Sequence, residues 1–376
     1  MIKKSVEDRV DYYKKKRELI SSGKYKPMPF VGFPSLTNYV AGIIPGTMYK
    51  VTSHSGMGKT QFSKFAFVLQ PILYAIKYNI NYKVVYFALE ESEEEFIDSI
   101  FLHVLERKYN VPVNRFTLNG LTSSVLTEDE LKAIEMAKAD VSLIMSYIHV
   151  VDYCYKPTKI YDKCREIAKK LGTFKIDARG NEFYSPNDPN ELVLVVCDHI
   201  SLIEEEMDPE TKSYLSHSKS IAKWHTEYAR KIITKKWNWA CLNIQQQSLE
   251  SEKQQFTSKG ESITSKVLPS LDGVANNREV IRDDYVVFGV FAPDRYEIEN
   301  FRGYKIRDSS DECFGDNYRS IHVLKNRLGT PNKVLSLFFD GSYTYFEEMP
   351  KPTDLGKIKK LYKTINDKQN VKRTRP

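Results

Sequence analysis

An α/β fold with an open, mainly parallel sheet flanked by helices follows from three observations on the sequence. Short apolar runs alternate four or five times with longer amphipathic segments between residues 47 and 244. One of these runs, Leu192–Cys197, is apolar at every position, as a strand covered by helices on both faces must be. Beyond about residue 285 the apolar runs follow one another without helical segments, which predicts a small C-terminal antiparallel β extension at one edge.

The elements follow in order. Ser5–Ser21 is a charged helix with Val6, Val10, Tyr13 and Leu19 roughly on one face, and Gly23, Pro27 and Pro29 punctuate its end. Thr47–Ser53 is a short strand, and Thr60–Tyr78 a long helix behind a glycine-containing turn. Val84–Leu89 is a second buried strand; Ser92–Arg107 is a helix whose first-turn glutamates complement its dipole. Residues 110–145 read as further helix and loop, Tyr147–Tyr153 as a strand and Lys156–Leu171 as a helix. Phe174–Asn190 reads as an exposed hairpin or loop, Leu192–Cys197 as the most apolar strand, Tyr214–Trp237 as a helix and Trp239–Ile244 as a strand. A polar stretch over residues 246–270 is long enough to be functional. Strands only are expected after it: Tyr285–Phe291, Ser320–Asn326 and Val334–Asp340, the last joined to Tyr343–Glu347 across an Asp340-Gly341 hairpin turn.

Composition bounds the function. With 41% apolar and 12% aromatic residues the chain is too rich for disorder. No run approaches 18 apolar residues, and the first residues lack the apolar stretch of a secretory signal. Cys154, Cys164, Cys197, Cys241 and Cys313 are scattered, without C-x-x-C, and support neither a disulfide framework nor a zinc site. No membrane partner and a cytoplasmic location are therefore expected. The net charge of +7 is uneven: residues 1–28 carry +5, residues 351–376 carry +7, and the body between them about −5. Three parts are predicted: a basic N-terminal helix or linker (1–28), a main domain (29–350) and a basic, flexible C-terminal tail (351–376). The tail is expected to add salt-sensitive affinity for nucleic acid.

Ser53-His54-Ser55-Gly56-Met57-Gly58-Lys59-Thr60 fits the phosphate loop G-x-x-x-x-G-K-[ST], with Ser53 in place of the first glycine. In such a loop Ser55, Gly56, Met57 and Gly58 wrap backbone N–H groups around phosphate oxygens. Lys59 supplies charge to the phosphates, Thr60 offers its hydroxyl to Mg²⁺, and the following helix points its positive end at the anion. ATP and Mg²⁺ are the expected cofactors. Phosphoryl chemistry needs an acid for the metal and a group to orient water. Asp198, ending the apolar run Leu192–Cys197, is the candidate for the metal. Glu90, following the strand Val84–Leu89, falls on the same rim and is the candidate base.

With these motifs the chain resembles the RecA-like P-loop NTPase core of replicative hexameric DNA helicases of the DnaB family. Phe87-Ala88-Leu89-Glu90-Glu91-Ser92 resembles the family stretch that carries the catalytic glutamate, and Val196–Ile203 its second acidic motif. Trp239–Ser248 resembles the strand that ends in a phosphate-sensing glutamine. Gln245, Gln246 and Gln247 are adjacent there, and Gln245, which directly follows the strand, is favoured. Leu324–Gly329 resembles the K-x-R-x-G motif that reaches a neighbouring subunit's nucleotide, giving Arg327 as arginine finger and Lys325 as its support. The resemblance covers roughly residues 30–348 and implies a ring, a hexamer as in that family, moving on single-stranded DNA in replication. Lys253, Lys259 and Lys266 are the candidate DNA contacts, and primase or a helicase loader the candidate protein partners. The family's globular N-terminal domain has no counterpart in the first 30 residues, and its arginine and glycines are not reproduced in register over Pro269–Arg282. The alternatives are a RecA-like recombinase or repair ATPase forming filaments on DNA, and a non-catalytic nucleotide-binding loader or scaffold. The Lys-, Asn-, Ile- and Tyr-rich composition suits a bacteriophage with an AT-rich genome, which would put the protein in the host cytoplasm.

Overall fold

The computed structural model of the protein describes residues 6–22, 27–253, 264–274, 278–308 and 312–374. Its strands in chain order are β1 (Met48–Ser53), β2 (Tyr82–Ala88), β3 (Ile148–Val151), β4 (Gly172–Ile176), β5 (Glu182–Pro186), β6 (Leu192–Asp198) and β7 (Ala240–Gln246). They continue with β8 (Val286–Phe291), β9 (Asn300–Phe301), β10 (Tyr304–Lys305), β11 (Tyr318–Asn326), β12 (Lys333–Asp340) and β13 (Tyr345–Glu348). One large sheet has the order β13-β12-β11-β8-β1-β7-β6-β2-β3. From β8 to β3 every pairing is parallel, and β11, β12 and β13 add antiparallel strands beyond β8. This is the mainly parallel sheet with a C-terminal antiparallel extension that the sequence predicts.

Alternate residues of the central strands enter two cores. Tyr49, Val51, Leu194, Val196, Leu242 and Ile244 face the helices that follow β1 and β2. Met48, Val193, Val195, Cys197 and Cys241 face Pro157–Leu171 and the helical stretch around Trp224. Burial on both faces explains why β6 has no polar residue before Asp198.

The helix after the phosphate loop is continuous but changes winding. Lys59–Ser63 is α-helical, Lys64–Leu69 is π-helical and Gln70–Tyr78 is α-helical again. Pro71 offers no N–H to the carbonyl of Phe67 and crowds it, so the turn before it widens. The Tyr82 hydroxyl donates to that carbonyl at 2.6 Å and so satisfies it. Helix Glu93–Tyr109 starts in a capping box, in which Ser92 and Glu95 bond each other's backbone N–H.

Residues 110–145 and 174–190 fold as the sequence leads one to expect, into helix with loop and into a hairpin. The stretch 110–145 forms helices Arg115–Leu118 and Glu128–Met145, the second packed on Glu93–Tyr109. Phe174–Asn190 contains the β4–β5 hairpin. The polar stretch 246–270 contains helix Thr264–Val267, and the region after it does not contain strands only, since helix Arg278–Asp283 precedes β8. Asp340-Gly341 is not a two-residue hairpin turn, because Asp340 accepts from the Ser342 N–H and starts a 3₁₀ turn, Gly341–Tyr343, closed by Thr344 at φ 49°. The tail is not a free arm: Leu355–Thr374 is a helix. Its Ile358, Tyr362 and Ile365 share one stripe, by i, i+4, i+7 spacing, and are buried against Tyr304, Phe314, Tyr318 and Phe338. By contrast, helix Val6–Ser21 buries no residue.

If the C-terminal helix is part of the packed domain, Ile358→Ala should lower the unfolding free energy by about 2 kcal/mol in a denaturant titration. An unchanged midpoint would return these residues to the status of an arm.

Candidate nucleotide site

Parallel strands bring their carboxyl ends to one rim. Ser53 ends β1, Asp198 ends β6 and Glu90 lies two residues past β2. β6 neighbours β2 in register, with Ala88 opposite Asp198, and the Leu89 N–H donates to the Asp198 carbonyl at 2.7 Å. The expected acid and base therefore lie on adjacent strand ends beside the phosphate loop.

The loop has the backbone its glycines permit. Gly56 and Gly58 have φ of 71° and 89°, in the left-handed region that side chains disfavour, and Gly58 caps helix Lys59–Ser63. Two arginines brace the loop through its carbonyls: Arg295 donates to Ser55 at 2.5 Å and Arg319 to Met57 at 2.9 Å. Arg319 is buried, paired with Asp316 at 2.7 Å and stacked over Phe339. A cavity of about 310 Å³ is lined by Ser55, Gly56, Gly58, Lys59, Thr60 and Glu90 among others. A second, of about 1140 Å³, shares Gln61, Ser99, Arg115 and Thr344 with it and extends under residues 110–127. The unassigned 110–145 stretch thus supplies a wall beside the phosphate loop.

Asp198 is buried at the end of β6. Its Oδ1 accepts from the Thr60 hydroxyl at 3.2 Å and its Oδ2 from the Tyr86 hydroxyl at 2.7 Å. Burial pushes its carboxyl up to about 6, although the Tyr86 hydrogen bond works downward. A buried carboxylate held by neutral hydroxyls, one of them from the phosphate loop, fits a divalent cation bound with a nucleotide. Glu90 is half exposed, 3.7 Å from His199 Nε2, and His199 is held below its usual range by burial and by Lys59. Its neighbour Glu91 instead accepts from the buried Lys64 at 2.7 Å, the role of a wall rather than of a reactant.

The remaining candidates scatter. Gln245 is buried on the sheet face opposite the phosphate-loop helix, where its Oε1 accepts from Lys50 at 2.9 Å. Gln247 donates to the Ser270 carbonyl. Only Gln246, level with Ser53 and half-buried, stands on the phosphate-loop face, because side chains alternate along β7. Lys325 and Arg327 are brought together, but at the other end of the sheet. Lys325 is level with Val287, and Val287 with Lys50, so roughly 10 Å of β1 separates them from Ser53. There Lys325 donates to the Ile281 carbonyl at 2.5 Å and Arg327 to that of Arg282 at 2.6 Å. Lys253 is exposed beyond β7 and Lys266 is exposed on Thr264–Val267; Lys259 lies outside the described residues. Sequence reasoning missed Arg295, Arg319, Lys64 and Arg115. No motif marks them: Arg295, Arg319 and Arg115 reach the site from a distant turn, strand and helix, and Lys64 stands one turn past the motif on the phosphate-loop helix.

Because folding raises the Asp198 pKa, ionising this group opposes folding. The penalty is absent below the ordinary aspartate range and complete above about pH 6. Asp198→Asn should therefore flatten the fall in stability of the nucleotide-free protein between about pH 4 and pH 6. Parallel stability profiles for the two proteins would refute the burial argument.

No protein-family model and no curated protein matches the sequence. Solved structures do match. One is an isolated ATPase domain, with a TM-score of 0.64 and 17% identity over 92% of this chain and 99% of that one. Another is a DnaB-like replicative helicase whose structure was described with its interactions with primase, with a TM-score of 0.64 and 18% identity over 93% of this chain and 69% of that one. At such identities the likeness is one of fold. The chain carries the RecA-like ATPase fold that DnaB-like replicative helicases use.

Proposed function

We propose that the protein is an ATP-driven DNA helicase of the DnaB type, a ring that hydrolyses ATP between subunits and translocates on single-stranded DNA. The observation that carries this reading is the convergence of Lys59, Thr60, Asp198 and Glu90 on one rim of a parallel sheet. Lys59 and the backbone N–H groups from Gly56 to Thr60 bind the phosphates. Thr60 and Asp198 hold Mg²⁺, which supplies charge neutralisation at the phosphoryl group. Glu90, exposed at the cavity, orients the attacking water and takes its proton. The larger neighbouring cavity is the seat for the nucleoside.

Lys325 and Arg327 fit action on another copy's nucleotide, since they are paired at the end of the sheet away from their own phosphate loop. Gln246 replaces Gln245 as the proposed phosphate sensor, for the face on which it stands. Lys253 and Lys266, with Lys259 between them in sequence, are the proposed DNA contacts, and the exposed lysines of the C-terminal helix add non-specific affinity. A hexamer and a primase or loader partner belong to this reading. Among the described residues no helix is long and apolar enough to cross a membrane.

Turnover assays test the shared site. Lys59→Ala should abolish ATP hydrolysis, and Glu90→Gln should lower kcat by about 10²–10⁴ while retaining nucleotide binding. Arg327→Ala should cost roughly 10³ or more in kcat. Mixed with Glu90→Gln subunits it should regain activity at sites that combine the intact halves; no gain on mixing rejects a site built from two copies.

Salt titrations test the DNA contacts. Replacing Lys253 and Lys266 together by Ala should reduce the slope of log affinity against log salt by about 1.4 on single-stranded DNA. An unchanged slope removes both lysines from the interface.

A further inference from the structure

His54, the second residue of the phosphate loop, belongs to no part of the motif chemistry and is buried. Its ring is held at both nitrogens. Nδ1 lies 2.8 Å from the Tyr296 hydroxyl and Nε2 lies 3.0 Å from Ser251 Oγ. Ser251 Oγ donates its own hydrogen to the Ser248 carbonyl at 2.7 Å. It is therefore an acceptor toward His54, so Nε2–H donates to Ser251, while Nδ1 and the Tyr296 hydroxyl pair at the other side of the ring. The bonds form a chain from Tyr296 through His54 and Ser251 to the Ser248 carbonyl.

The far end of the chain is also tied down. The Ser248 N–H donates to the Gly273 carbonyl at 2.8 Å, and the Gln247 side chain donates to the Ser270 carbonyl at 3.0 Å. Gly273 packs so closely that a Cβ there would stand 2.7 Å from Gln247 Oε1 and 3.1 Å from Ser251 Oγ. Residues 247–253 and 270–274 are thus one hydrogen-bonded unit, joined to the phosphate loop at its base by the Gln247 N–H, which donates to the Ser53 carbonyl at 2.9 Å, and at Ser251 by the His54 side chain. Exposed Lys253 leaves from this unit.

We propose that His54 is a positioning residue that ties the posture of the phosphate loop to the Ser248–Ser251 turn, so that nucleotide bound at the loop orders the segment carrying Lys253. The inference rests on the reading of residues 53–60 as the nucleotide site. Bending of the loop around phosphate shifts the imidazole, and the turn follows because it is held to Gly273 and Ser270.

Hydrogen exchange on the full-length protein, with and without Mg-ATP, reads this directly. In the native chain, amides of 53–60 and of 247–253 should both slow on adding nucleotide. In Ser251→Ala and His54→Ala the 53–60 response should persist, while the 247–253 response falls by about fivefold, the effect of one ordinary hydrogen bond. His54→Gln, whose amide N–H can replace Nε2–H, should restore much of it, whereas a merely space-filling role would not separate Gln from Ala. Steady-state kinetics give a second measure: Ser251→Ala should keep kcat and KM for ATP without DNA but lose most of the stimulation by single-stranded DNA. A 247–253 response or DNA stimulation equal to native in Ser251→Ala overturns the relay. Native protection at 53–60 alone overturns the relay and leaves the nucleotide site standing; protection at neither segment overturns both.

Discussion

Asp198 lies at the end of a strand buried on both faces, with its two oxygens on hydroxyls of the phosphate-loop helix and of β2. Neutral hydroxyls compensate a buried carboxylate only in part, and the raised pKa is the measure of what is left over. The same two contacts hold Thr60 and Tyr86 in place, so they set the separation between the phosphate loop and the Glu90 rim. The free protein thus keeps a destabilised acid where a cation would relieve it. On the proposed reading, nucleotide with its metal adds stability by mass action and by removing this cost.

The sheet also separates two kinds of cationic group. At the carboxyl ends Lys59 faces an open cavity, while Lys64 is engaged by Glu91. Beneath them Lys50 is fully buried on β1, 3.5 Å from Asp284, which also contacts His225 at 3.0 Å. Burial pushes Asp284 upward, but Lys50 and His225 more than offset it and hold the carboxyl below its usual range. This ion pair sits just below helix Arg278–Asp283, whose last carbonyls receive Lys325 and Arg327. The proposed trans residues are therefore tied to a helix that runs directly into the buried Asp284 pair.

Much of this was legible beforehand. The acids at Asp198 and Glu90 follow from apolar runs that stop at polar residues, and the turn at Gly56 and Gly58 after Ser53 follows from the phosphate-loop motif. The parallel order follows from helical segments between the runs. Less legible was the C-terminal stripe Ile358, Tyr362 and Ile365, masked by its surrounding lysines although its spacing was regular. The glutamines were ambiguous because three adjacent copies leave the strand's last pleat undetermined, and a shift of one residue exchanges the two faces of the sheet.

What the sequence determined by itself is local: which segments are strands, where each one ends, and which polar groups stand at those ends. Periodicity and backbone chemistry act over a few residues, and so they can be read from a few residues. The tertiary structure alone decided which distant side chains meet. Arg319 on the phosphate loop, Tyr86 on Asp198, and Tyr296 and Ser251 on His54 depend on strand order and register, which no local pattern encodes. Those contacts are fixed by packing of whole elements. They convert a phosphate-binding motif into a loop braced from beneath and linked to the segment that carries Lys253.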